Sequence, residues 1–338
     1  MKLPVTDIKK IAIFRALKLG DMLCTVPSMK ALRKAYPDAE ITLVGLPWAK
    51  AFVERFHMYL DRFIHFPGCL GLPEQPYSEA RLYAFIDKMR SEEFDLVLQM
   101  QGNGTIVNPL MFLFNAKHVA GFYNNESFVD SDLFMPYPDY GYEAQRHMAL
   151  MEHLRMEPQD LDLEFPITEK DEQELAECCL PLLKKRYICI HPGSASALRQ
   201  WPPPYFAAIA AHCIESKFTV VVTGTNEERD ITRELVKCIH YPVIDATGET
   251  SPGAVAVLIK NAFMLVANCT GVAHIAAAVK TPSVIISMDG EPERWAPVNK
   301  DLHHVIDWTK EPHFENVFNA VIRKIALKTS NAKVSYNA

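Results

Sequence analysis

At 338 residues with a net charge of −6, the chain is too long for one ordinary hydrophobic core and too acidic for a general nucleic-acid binder, so two globular domains are expected. No stretch of about 18 apolar residues is present to span a bilayer, and the opening MKLPVTDIKK lacks the apolar centre of a secretory signal. The expected location is therefore cytoplasmic, with the eight cysteines reduced; they are scattered, with no C-x-x-C pair, and predict neither a metal site nor a disulfide framework.

The first 36 residues carry Lys2, Lys9, Lys10, Arg15, Lys18, Lys30, Arg33 and Lys34 against only Asp7 and Asp21. Two readings stand: a solvated face, or a docking surface for an anionic partner such as a phosphorylated glycolipid or a membrane. Inside this segment lies IAIFRALKLGDMLCTVP (residues 11–27), in which a short apolar run meets a cramped loop with Gly20 and Asp21 and then a helix. Asp21 is either a helix cap or a carboxylate at the carboxyl end of the first strand, where open α/β sheets bind ligands.

Short, non-alternating apolar runs then recur about every 30 residues. They are IAIF (11–14), ITLV (41–44), RFIHF (62–66), DLVLQM (95–100) and HVAGF (118–122), followed by YICIH (187–191), FTVVVTG (218–224), PVIDATG (242–248), FMLVAN (263–268) and SVIIS (283–287). Such runs suit strands buried on both faces of a parallel sheet. The segments 22–35, 78–92, 170–185, 204–216, 227–239, 253–260 and 271–279 read as helices between them. The alternation predicts an α/β protein with two Rossmann-like, doubly wound parallel-sheet domains facing across a cleft. Prolines and charges at 157–174 mark the seam, giving domains 1–165 and 166–312. Residues 313–328 form a last helix, and the tail to 338 is expected to fray.

Three strand ends in the second half carry candidate chemistry. In HPGSASALRQWPPPYFAAIA (191–210), Gly193, Ser194 and Ser196 would let backbone N–H groups approach phosphate oxygens, with Arg199 supplying a fork of donors. After VVVTG, Glu227 and Glu228 fall in the first helical turn, as dipole partners or as acceptors for ribose hydroxyls. In NCTGVAHIAAAV (268–279), Thr270 is a candidate N-cap, Gly271 permits close approach, and His274 lies one turn in. No G-x-G-x-x-G, P-loop or G-x-S-x-G signature is present, which argues against dehydrogenase, P-loop kinase and serine hydrolase chemistry. His303 and His304 lack metal-ligand spacing and read as surface residues.

With these pieces in place, the chain resembles the heptosyltransferases of glycosyltransferase family 9, from about residue 9 to 325. The resemblance rests on Leu19-Gly20-Asp21 and Pro27, Tyr36-Pro37-Asp38-Ala39 before ITLV, Gln101-Gly102-Asn103, Gly121-Phe122, His191-Pro192-Gly193, Arg199-Gln200-Trp201-Pro202, and NCTGVAHIAAAVKTPSVII. It implies a GT-B fold and an inverting, metal-independent transfer of a heptose from a nucleotide diphosphate, usually ADP, to a lipopolysaccharide-core sugar. No cofactor is implied beyond this nucleotide-sugar substrate. The N-terminal domain would hold the acceptor, with Lys18, Gln101 and Asn103 as contacts and Asp21 as general base. The C-terminal domain would hold the donor through Gly193, Ser194, Arg199, Glu227, Glu228, Thr270, Gly271 and His274. Any membrane contact would be peripheral, through residues 1–36, at the inner face of the bacterial inner membrane.

Two residues depart from the family pattern. Arg199 stands where a lysine is usual, and Cys269 stands where Asn-Asp-Thr-Gly has its aspartate. A thiol is a poor acceptor for sugar hydroxyls and is uncharged near neutral pH unless its pKa is lowered; two readings stand, a neutral thiol or one given some thiolate character by the helix N-terminus that follows. Three readings follow: the heptose transfer itself, the same chemistry with another nucleotide-sugar or a soluble acceptor, and a nucleotide-sugar-binding protein without turnover.

Overall fold

The computed structural model describes residues 2–124, 131–181 and 186–334. The chain divides into two units, Met1–Pro166 and Ile167–Ala338. In chain order the first unit contains β1 (Lys10–Phe14), α1 (Leu19–Leu23), α2 (Val26–Ala35), β2 (Glu40–Gly45), α3 (Ala49–Arg55), β3 (Arg62–His65), α4 (Glu79–Ser91) and β4 (Leu96–Gln99). It continues with α5 (Val107–Phe112), β5 (His118–Tyr123), β6 (Phe134–Pro136) and α6 (Glu143–His153). The second unit contains α7 (Glu169–Glu177), β7 (Tyr187–His191), α8 (Pro203–Glu215), β8 (Thr219–Val222), α9 (Arg229–Cys238), β9 (Ile244–Asp245) and α10 (Pro252–Asn261). Then come β10 (Met264–Asn268), α11 (Gly271–Ala278), β11 (Ser283–Ser287), α12 (Pro292–Trp295), β12 (His303–Asp307) and α13 (Phe314–Val334).

Each unit builds one six-stranded sheet, in the orders β3-β2-β1-β4-β5-β6 and β12-β11-β10-β7-β8-β9. Every pairing within them is parallel. Counted from the first strand of each unit, both orders are 3-2-1-4-5-6, the doubly wound order whose direction reverses between strands 1 and 4. The reversal falls between β1 and β4 in the first unit and between β7 and β10 in the second. Strands β1, β4, β7 and β10 are almost wholly buried, as helices on both faces require. The core of the second unit centres on Trp201, fully buried and ringed by Phe206, Trp308 and Phe314 at 4.9–6.1 Å between ring centroids.

Several expected elements shift. The helix expected over 22–35 is two, α1 and α2, because Pro27 cannot donate within a continuous helix and instead sits in the first turn of α2. Strands β6 and β12 and helices α3, α5, α6 and α12 were not anticipated; the edge strand β6 is only three residues long. The expected strand 242–248 shrinks to Ile244–Asp245. The helix expected over 170–185 ends at Glu177, and residues 182–185 of that span lie outside the described residues. Rather than fraying from 329, the chain stays helical to Val334 in α13, and residues 335–338 lie outside the described residues. His303 is not a surface residue. It sits buried in β12 with its Nδ1 2.8 Å from Ser283 Oγ, and burial, with Lys324 nearby, pushes its pKa down to about 4.

Candidate active site

In the first unit the functional geometry starts from Arg15, the residue directly after β1. Its guanidinium is fully buried. It donates through Nε and Nη2 to the Asp21 carbonyl at 3.1 and 2.9 Å, donates to the Met100 carbonyl, and pairs with Glu143 Oε1 at 3.4 Å. Glu143, itself buried, also accepts from Tyr137 Oη at 3.1 Å and lies 3.1 Å from His147 Nε2. One cation thus ties the loops after β1 and β4 to the start of α6. The charge survives burial because its N–H groups meet carbonyls and a carboxylate.

That clamp sets the position of Asp21. The N-cap position of α1 belongs to Lys18, and Asp21 lies in the first helical turn. Its side chain is half-buried and, among the described residues, meets no hydrogen-bonding or ionic partner. The capping reading is therefore replaced by an open carboxylate on a rigid loop at the carboxyl end of β1. Gln101, expected as an acceptor contact, is buried and its Oε1 accepts from the Ala16 N–H at 2.7 Å. Its side-chain oxygen secures the same loop. Lys18 is exposed beside Asp21 in sequence, and Asn103 accepts from Thr105 N–H and Oγ at 3.2 and 3.0 Å.

The basic segment loses much of its free charge. Arg15 is in the core, Lys30 pairs with Glu164 at 3.0 Å, Arg33 with Asp61 at 2.5 Å and Lys34 with Glu157 at 2.8 Å. Lys2 lies 3.9 Å from Asp132, and Lys10 donates to the Glu92 carbonyl at 3.1 Å. Acids distant in sequence offset the local positive balance counted from residues 1–36.

In the second unit Asn268, at the end of β10, organises the loops. Its fully buried amide accepts from Trp201 N–H at 3.0 Å and donates to the Pro192 carbonyl at 2.7 Å. The segments at 191–202 and 268–279, far apart in sequence, are thereby held side by side at the β7/β10 reversal. Thr270 does occupy the N-cap position of α11, but its hydroxyl turns back toward the Asn268 carbonyl at 3.5 Å. The first turn of α11 is left without a side-chain cap, which suits an incoming anion. His274 is buried one turn in, edge-on to Trp295 at 6.3 Å.

Gly193 and Glu228 turn out to be partners. A Cβ at Gly193 would lie 2.2 Å from Glu228 Cδ, so the missing side chain makes room for that carboxylate. Glu228 accepts from Thr225 N–H at 2.8 Å in a capping box and lies 3.5 Å from His191 Nε2, whose ring meets Thr223 Oγ1 at 3.1 Å. Burial disfavours its ionisation, but the bonds to His191 and Thr225 outweigh this and hold the carboxyl at about 2. Both of these contacts use Glu228 Oε2, and the neighbouring Glu227 is exposed. Ser194 is buried, and its carbonyl accepts from Gln200 Nε2 at 3.1 Å.

Arg199 is half-exposed, with Nε 3.6 Å from Asp289 Oδ2. Asp289 itself accepts from Ser287 Oγ at 2.8 Å and Glu291 N–H at 3.3 Å. Cys269 sits within the field of this pair. Burial pushes its thiol up to about 12, with Asp289 adding to the shift and Arg199 opposing it. Of the two readings, the upward shift favours the neutral thiol.

Arg15, Glu143, Asn268 and Asp289 were not among the expected site residues. Arg15 and Asn268 had a usable signal, since each is a polar side chain at the carboxyl end of a strand on the reversal. Glu143 and Asp289 had none, because only the fold brings them to their partners.

The two units are doubly wound α/β domains, the first with an open carboxylate after its first strand and the second with a helix terminus that has no side-chain cap. Comparison with known proteins narrows the class. The family model for glycosyltransferase family 9 (heptosyltransferase) matches residues 82–320. A lipooligosaccharide heptosyltransferase 2 from Haemophilus ducreyi is 22% identical over 308 residues, covering 86% of each chain. Among solved structures, a glycosyl transferase family 9 protein from Veillonella parvula superposes with a TM-score of 0.79 at 19% identity, covering 96% of this chain and 99% of that one. An ADP-heptose LPS heptosyltransferase II from E. coli gives a TM-score of 0.76 at 16% identity, covering 95% and 100%. The chain belongs to glycosyltransferase family 9.

Two predictions follow from this geometry. Replacing Arg15 by Met removes the donor of the Asp21 and Met100 carbonyls and the cation facing the buried Glu143 carboxylate, and equilibrium urea unfolding should show a loss of about 3–5 kcal/mol. Glu228 stabilises the fold fully above its unfolded pKa of about 4.5, and this contribution is lost as pH falls toward about 2. Glu228→Gln should therefore be less stable than the native chain at pH 7, the difference shrinking as unfolding is measured at successively lower pH down to 2.5.

Proposed function

We propose that the protein transfers a heptose from ADP-heptose, with inversion at the anomeric carbon, to a sugar of a lipopolysaccharide-core-type acceptor. The observation that carries this reading is Asp21: a half-buried carboxylate that meets no partner among the described residues, on a segment fixed by the Arg15 clamp. A side chain so placed can take the proton of an acceptor hydroxyl as that oxygen attacks. The C1–O bond to the new acceptor forms as the bond to the β-phosphate oxygen breaks, and the electron pair leaves with ADP. In the second unit the uncapped N-terminus of α11 and the Arg199 guanidinium would meet the charge that builds on the diphosphate. Because these groups can neutralise the leaving group, the transfer is read as metal-independent. The donor and acceptor classes rest on the relatives named above and not on the basic segment 1–36, most of whose cations have partners within the first unit.

Asp21→Asn should retain the native melting temperature and ADP affinity but lose roughly 10²–10⁴-fold in turnover, the range for removing a general base. Transfer at near-native rate in this variant would remove Asp21 from the mechanism.

A second reading, the same chemistry with a different nucleotide-sugar, is favoured by one observation: the thiol of Cys269 is neutral and aimed 3.9 Å from the Trp295 carbonyl. A neutral thiol cannot accept from sugar hydroxyls as a carboxylate does, and a hydrogen bond to a charged group contributes about 1.5–3 kcal/mol. Cys269→Asp should therefore raise the preference for ADP-heptose over ADP-glucose, measured as the ratio of kcat/KM values, by about tenfold or more. An unchanged ratio would show that the sugar is not read at position 269.

A further inference from the structure

The first unit contains a cavity of about 640 Å³ that none of the residues assigned above, except Asn103, explains. It opens at the carboxyl ends of β4, β5 and β6 and falls within the size range of ligand pockets, about 300–1,000 Å³. Three tyrosines, Tyr123, Tyr137 and Tyr140, line it together with Asn103, Asn124 and Asp139. Tyr137 is held edge-on to Phe122 at 5.1 Å and bonded to Glu143, so its ring is a fixed wall. Tyr140 is 73% exposed, so much of its ring is open to a ligand. Asn124 is oriented by a 2.9 Å bond to Thr105 Oγ1, and Thr105 in turn bonds Asn103.

Flat aromatic faces match the C–H faces of a pyranose ring, and amides with a carboxylate match pairs of neighbouring hydroxyls, which both donate and accept. Among the described residues the lining includes an acid and no lysine or arginine, although the Arg146 guanidinium lies 5.5 Å from the centroid of the Tyr137 ring. A phosphate or carboxylate placed there would be repelled by the Asp139 carboxylate, whereas a neutral sugar would not. The wall is also continuous with the catalytic loop: Tyr137 bonds Glu143, Glu143 pairs with Arg15, and Arg15 holds the Asp21 carbonyl.

We propose that this cavity is a subsite for a neutral saccharide unit of the acceptor, distinct from the unit that receives the transferred sugar. That the saccharide belongs to an acceptor rests on the glycosyl-transfer reading; that the cavity takes a neutral sugar does not.

Calorimetric titration of the full chain with two probes tests it: the neutral heptose-hexose oligosaccharide obtained by dephosphorylating lipopolysaccharide core, and the same oligosaccharide with its phosphates. The neutral probe should bind at least tenfold more tightly than the phosphorylated one. Tyr140→Ala, a change at an exposed ring, should weaken the neutral probe at least tenfold and leave ADP affinity intact. In transfer assays the same variant should raise acceptor KM more than it lowers kcat. No binding of the neutral probe, equal binding by native and variant chains, or tighter binding of the phosphorylated probe would each overturn the subsite. Tyr140-dependent binding without transfer to any acceptor would uphold the subsite and overturn the glycosyl-transfer reading instead.

Discussion

The first unit depends on a guanidinium with no access to water. Arg15 follows β1 immediately and spends its donors on the Asp21 and Met100 carbonyls and on Glu143, joining three loops that the sheet alone would leave independent. A buried cation is costly unless every donor is met, so the arrangement tolerates little slack. The rigidity of the Asp21 loop follows from that intolerance. The five-residue α1 is too short to be stable by itself; Arg15 holds the carbonyl of Asp21, and Gln101 holds the Ala16 N–H of the loop that leads into it.

The second unit solves a similar problem with a neutral group. Asn268 needs both faces of its amide, one for Trp201 and one for Pro192, and so fixes the loop after β7 against the start of α11. Glu228 locks the neighbouring turn by filling the space at Gly193. In both units the reversal of the sheet opens a crevice, and a single buried polar side chain beside it sets the positions of the loops. What then faces outward is the Asp21 carboxylate in one unit and the Arg199–Asp289 pair in the other.

The fold was legible because buried parallel strands announce themselves as short β-branched runs, and ten of the strands coincide with such runs. Strands β6 and β12 escaped notice for opposite reasons. The first is three residues ending in a proline, and the second, HHVID, reads as polar until His303 is seen buried against Ser283. Asp21 and the Thr270–Gly271 turn could be found from sequence because each lies at a strand end and next to its own helix. Their supports could not, since Arg15 meets Glu143 across 128 positions and Asn268 meets Trp201 across 67. Local pattern shows where a loop is; only tertiary contact shows what holds it. The same limit explains Glu228, which from sequence was a candidate for ribose and in the structure is bound to His191 and Thr225.

Cys269 carries one more consequence. Burial pushes its thiol well above the ordinary range and so disfavours the thiolate, the form that alkylates, oxidises and exchanges disulfides. A cysteine in the middle of a candidate nucleotide-sugar site would ordinarily make the protein vulnerable to peroxide and to electrophiles. Here burial and the neighbouring Asp289 carboxylate both work against the thiolate, so the position carries a small polarizable atom whose reactive form is disfavoured.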